Sequence, residues 1–79
     1  MSPTVLRAGG YRFFFFSREE KRAHVHVYHV DGEAKVWLDP QVEIAQNCGL
    51  SARRMATVVR LVRENEDEIR KAWRRHFGD

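Results

Sequence analysis

Along the first half of the chain apolar and polar residues alternate with a period of two, and from Ser51 onward the period lengthens to that of a helix. Thr4, Val5 and Leu6 begin a short strand, Gly9-Gly10 suits a turn, and residues 11–17 form an aromatic strand with β-favouring side chains on both faces. Four consecutive phenylalanines, Phe13 to Phe16, would pair with other chains if left on an edge, so this strand belongs inside a sheet. After a charged loop over residues 17–22, residues 24–30 and 33–38 alternate around Asp31-Gly32, which reads as a hairpin with a two-residue turn. Asp39-Pro40 ends the second arm, because proline has no N–H to give to a ladder. Val42, Glu43, Ile44 and Ala45 suit one more short strand, and Asn47, Cys48 and Gly49 then turn the chain.

Ser51 is a natural N-cap, with Leu50 before it able to staple onto Met55. From there no proline or glycine interrupts a helical pattern that reaches about Phe77. Met55, Val58, Val59, Val62, Ile69, Ala72 and Trp73 hold one side of it, with a gap at Asn65 and Glu66 where it can bend. The expected fold is therefore α+β: a small, mainly antiparallel sheet of three to four strands followed by one long C-terminal helix packed on one face, in a single domain spanning residues 1–79.

A turn centred on Asp31-Gly32 sets Val27 opposite Val36, Tyr28 opposite Lys35, His26 opposite Trp37 and His24 opposite Asp39. Side chains alternate faces, so Val25, Val27, Val36 and Leu38 turn toward the helix. The other face then collects His24, His26, Tyr28, Lys35, Trp37 and Asp39. A single helix cannot cover both sides of the sheet, and an aromatic face left open is suited to meet a partner.

Length and charge narrow the classes. A chain of 79 residues is one small domain, with only about three-fifths of its extended surface buried on folding. Cys48 is the sole cysteine, so no internal disulfide forms and a reducing, cytoplasmic setting fits. Arg7 and Arg12 before the phenylalanine run and Arg18 to Arg22 after it exclude a signal peptide or membrane span there. The net charge of +3 permits an anionic partner, although the basic residues are interleaved with acids.

The chemistry concentrates on the hairpin. A carboxylate across from an imidazole fixes its tautomer, so His24 with Asp39, His26 two residues on and the Lys35 cation make a candidate catalytic set. Two histidines and a cation are the minimum for general acid/base cleavage of an RNA phosphodiester. The same histidines suit a shared metal, but no second cluster with ligand spacing accompanies them, and neither a metal nor a cofactor is expected. Tyr28 and Trp37, with Arg12 and Arg22, are candidates for contact with a partner or nucleic acid. Arg53 and Arg54 oppose the dipole in the first helical turn, where phosphate would be welcome. His29 falls on the inward face as a core histidine, and His76 complements the dipole at the helix C-terminus.

Met1-Ser2-Pro3-Thr4-Val5-Leu6-Arg7 followed by Tyr11-Arg12-Phe13-Phe14-Phe15-Phe16-Ser17 resembles a family of short bacterial proteins called domain of unknown function 4160. The likeness continues through His24-Val25-His26-Val27, Gly32-Glu33-Ala34-Lys35, Trp37-Leu38-Asp39-Pro40, Gly49-Leu50-Ser51 and Ala72-Trp73 with His76-Phe77-Gly78. Members often carry a proline before the His-x-His strand and an acid in the first helical turn, where this chain has Ala23 and Arg54. Genes of that family often sit beside one for a domain of unknown function 2442 protein, an arrangement suggestive of a toxin–antitoxin pair. The resemblance thus implies a small two-protein module: binding to the neighbouring gene product, with RNA or DNA as a further partner and a homodimer left open. The alternative is a non-enzymatic protein- or nucleic-acid-binding module.

Overall fold

A computed structural model describes residues 4–16 and 21–78. Residues 17–20 of the expected charged loop, Arg18 among them, and the opening Met1-Ser2-Pro3 lie outside the described residues. The elements are β1 (Thr4–Ala8), β2 (Tyr11–Phe14), β3 (His24–His29), β4 (Gly32–Trp37), β5 (Glu43–Cys48), α1 (Ala52–Glu64) and α2 (Glu66–Phe77). All five strands join one antiparallel sheet in sequence order, a meander whose edges are β1 and β5. The α+β class stands, but with five strands instead of three to four and two helices instead of one.

Each difference has a local cause. Gly9 and Gly10 both take positive φ, at 56° and 84°, and fold β1 back onto β2. The aromatic strand therefore has neighbours on both edges, as its composition demands. Asn47 and Cys48 continue β5 rather than ending it, and Gly49, with φ 94°, makes the turn. There the Asn47 side chain holds Leu50 from both sides, Nδ2 donating to the Leu50 carbonyl at 2.8 Å and Oδ1 accepting from the Leu50 N–H at 3.0 Å. Ser51 caps α1 by accepting from the Arg54 N–H at 3.2 Å. Asn65 breaks the helix: it leaves helical geometry at φ −116° and ψ 19°, and its Nδ2 donates to the Leu61 carbonyl at 2.9 Å. Glu66, Asp67 and Glu68 then supply the negative first turn that a fresh N-terminus favours.

The hairpin register also differs from expectation. His29 faces Gly32, Tyr28 faces Glu33, Val27 faces Ala34, His26 faces Lys35, Val25 faces Val36 and His24 faces Trp37. The Leu38 N–H donating to the Ala23 carbonyl at 2.9 Å extends the same pairing. The turn is thus Val30-Asp31, one residue earlier than the Asp-Gly signal suggested, with the Asp31 N–H donating to His29 Nδ1 at 3.0 Å. Gly32 serves another purpose: a Cβ there would lie 2.4 Å from the Cys48 carbonyl oxygen and 2.9 Å from Gly49 C. It is glycine because β5 passes close by, not because a turn needs positive φ. Moving the turn by one residue changes every partner by two, so the alternation of faces within the hairpin survives while the neighbours change, and only His24 and Asp39 at its open end leave the face expected of them for contacts with α2.

The helices pack on one face of the sheet. Phe13, Phe15, Val25, Val27, Val36 and Leu38 meet Met55, Val58, Val62, Ile69 and Trp73 there, nearly all without solvent exposure. Arg70 fastens α2 to the end of β4: it reaches Glu66 at 2.8 Å, Asp39 Oδ1 at 2.7 Å and the Leu38 carbonyl. No described helix is long and apolar enough to cross a membrane.

Candidate functional site

Ladder partners share a face, so three rows of side chains cross the sheet on the side away from the helices. The first runs Arg7, Arg12, Tyr28, Glu33 and Cys48. The second runs Thr4, Phe14, His26, Lys35 and Gln46, and the third, across from the buried His24 that opens β3, has Trp37 and Glu43. Tyr28 is 48% exposed and Phe16, just past β2, is 44% exposed.

Cations lie over the aromatic rings. The Arg12 guanidinium is 4.6 Å from the Phe14 centroid and is held there by donating from Nε to Thr4 Oγ1 at 2.8 Å. Trp37 receives two, Arg22 at 4.1 Å and Lys35 at 4.5 Å. Arg22 is steadied by donating to the Asp39 carbonyl at 2.7 Å and by Glu43 at 3.3 Å. His26 sits among Phe16, His24 and Phe14, with centroids at 4.4, 5.1 and 5.6 Å. A groove of about 220 Å3 beside it is lined by Glu33, Lys35, Gln46 and Cys48.

The expected catalytic quartet separates. His26 and Lys35 come directly opposite each other. His24 does not lie on the open face: at the start of β3 it is fully buried, its ring 5.2 Å from Trp73 of α2 and 5.5 Å from Trp37. Its Nδ1 lies 2.7 Å from the Arg22 carbonyl, which can only accept, so Nδ1 carries the proton. Asp39 is not across from His24, because the true register puts Trp37 there and Arg70 takes the carboxylate. The hydrogen bond to Asp39, and after it that to Glu66, raises the Arg70 pKa against a desolvation penalty, so this cation stays charged.

Of the expected binding residues, Tyr28, Trp37, Arg12 and Arg22 share the open face. Arg53 and Arg54 do not join them, since α1 lies on the other side of the sheet. Arg54 has a different task. It meets Asp31 at 2.6 Å and the Tyr11 hydroxyl at 3.4 Å, and hydrogen bonding to Tyr11 first, then Asp31, raises its pKa. Its positive charge at the start of α1, against the dipole, is thereby explained by a carboxylate on the hairpin tip. Tyr11 also stacks on the buried His29 at 4.6 Å, giving a Tyr11, His29, Asp31 and Arg54 cluster. The missing acid in the first turn of α1 is the one sequence signal that pointed toward it. Among the described residues no three His, Cys, Asp or Glu side chains stand together to hold a metal, and Cys48 is a free, exposed thiol.

The chain belongs to the family described as domain of unknown function (DUF4160), whose model matches residues 10–74. Neither a curated protein nor a solved structure matches it. The matched span takes in β2 to β5, α1 and most of α2, and so nearly all of the open face.

Proposed function

We propose that this protein is the nucleic-acid-binding member of a small two-protein, toxin–antitoxin-like module, and that the open sheet face holds single-stranded RNA. The observation that carries the reading is the first two rows of that face: exposed Tyr28 with Arg7, Arg12 and Lys35 around it, on the side bearing no described helix. Bases stack on aromatic rings whatever their sequence, and cations along the rows neutralise the phosphates between them. The second protein of the module is the neighbouring gene product, of the domain of unknown function 2442 type.

Fluorescence anisotropy with a short labelled RNA tests this. Tyr28→Ala should weaken binding by roughly 1–3 kcal/mol, the usual worth of one stacked base. Affinity should fall with salt at a log–log slope of about −2, as three cations on a single strand imply. RNA that does not bind, or binds Tyr28→Ala and Arg12→Ala as well as the wild type, overturns the reading.

The placement of Lys35 directly across from His26 favours RNA cleavage as a second reading. His26 would take the proton of a 2′-hydroxyl as its oxygen attacks phosphorus, the 5′-oxygen would leave with a proton from water, and Lys35 would stabilise the added negative charge. Wild-type protein should then produce 2′,3′-cyclic phosphate ends, and His26→Gln should bind RNA but leave it whole. Intact RNA after incubation with the wild type removes the enzyme and leaves the binding module.

A further inference from the structure

Among the described residues the edge strand β5 has a ladder partner on one side only, β4, and five of its six residues are exposed. Beside it, on the helix side of the sheet, lies a groove of about 780 Å3. Ile44, 47% exposed, forms one wall, Met55 the floor, and Ala52, Ala56 and Val59 of α1 the other wall. Arg60, Arg63 and Glu64 form its rim, where Arg60 donates to both carboxylate oxygens of Glu64 at 3.2 and 3.1 Å and Arg63 carries the net positive charge. An open strand edge, exposed apolar surface and a rim of net positive charge thus meet at one place.

We propose that an extended, acidic segment of the partner protein adds to the sheet as a sixth strand along β5, with alternate apolar side chains in the groove and its carboxylates on Arg63 and on Arg60, which it shares with Glu64. Strand addition supplies affinity through main-chain hydrogen bonds and specificity through alternate side chains. The charge of the rim selects acid. A second copy of this chain fits poorly, because pairing two β5 strands about a two-fold axis brings two α1 helices together with two arginines each against one Glu64 each. The strand also carries a bulge, since Ile44 pairs with Val36 and Gln46 with Lys35 while Ala45 has no opposite number. A bulge bends an edge and defeats flat pairing between rigid sheets, whereas a flexible segment can follow it. This inference gives a surface to the partner half of the proposed function and rests on that half alone.

The probes are a ten-residue peptide alternating valine and glutamate, and its valine–lysine counterpart, each added at roughly millimolar concentration to the full chain. Amide hydrogen exchange is read residue by residue. The acidic peptide should slow exchange in β5 and the basic one should not, and Arg60→Glu/Arg63→Glu should reverse that preference. Equal effects of the two peptides, no protection by either, protection at β1 instead, or β5 protection that grows with protein concentration alone overturn the proposal. The neighbouring gene product separates the two ideas. If it binds without protecting β5, this surface is wrong and the module stands; if it does not bind while the acidic peptide does, the module fails and the surface stands.

Discussion

The two faces of the sheet are built from alternate residues of the same strands, yet they differ in kind. Toward the helices Phe13, Val25, Val27 and Val36 are wholly buried, and their neighbours are other apolar side chains. On the far side Arg12, His26, Tyr28 and Lys35 alternate with them and stay at least partly in contact with solvent. Phe13 and Phe14 make the contrast sharpest, being adjacent in sequence and identical in chemistry. Phe13 packs in the apolar cluster under the helices, while Phe14, itself only 6% exposed, is covered on the other face by Arg12, His26 and Phe16. One face secures the fold, and the other can vary its chemistry without undoing it.

Urea unfolding of Phe13→Ala should show the largest effect, a loss of about 3–5 kcal/mol, enough to unfold much of so small a domain. Phe14→Ala should cost less, because its cover is made by the side chains of Arg12, His26 and Phe16, which can settle into the space it leaves; equal losses would erase the distinction between the faces. Gly32→Ala should destabilise by about 1–3 kcal/mol, since its methyl group meets the Cys48 carbonyl and must push β5 aside. Exchange should quicken first in β5, and a neutral result would mean that the strand edge yields freely.

Arg70→Met removes the tie between α2 and the end of β4 and should cost about 1–2 kcal/mol, a figure held down by its partial exposure. Because its pKa is raised, the Arg70 contribution is complete from neutral pH up to its ordinary value and fades only as pH rises through the folded one. The difference between variant and wild type should therefore be constant from neutral to moderately basic pH. Smallest of all, Tyr28→Ala should change stability by less than about 0.5 kcal/mol while weakening RNA binding. A large loss of stability there would make Tyr28 a structural residue and leave the open face without its main stacking platform.

Much of this was legible in the residues. The alternation in β3 and β4 assigns each side chain to a face, and the Ser51 cap and the stripe from Met55 to Trp73 locate the helical cover. The break at Asn65 is visible as a gap in that stripe, and the acidic Glu66, Asp67 and Glu68 are the signal that a second helix begins. The candidate site was only half legible. The outer row of His26, Tyr28, Lys35 and Trp37 follows from alternation, but the pairing of His24 with Asp39 came from trusting Asp31-Gly32 as a turn. Gly32 was answering to β5, a neighbour far enough along the chain that no local pattern could reveal it.

Periodicity, caps and breakers by themselves therefore determined that the protein is α+β, that strands precede a helical second half, and the face that most hairpin residues join, because these depend on interactions a few residues apart. The hairpin register, the burial of His24 against Trp73, the capture of Asp39 by Arg70 and of Asp31 by Arg54, and the open edge at β5 were decided only in the tertiary structure. Each depends on a contact between distant segments, and a close approach of two backbones or a charge arriving from another element outweighs the local preference it meets.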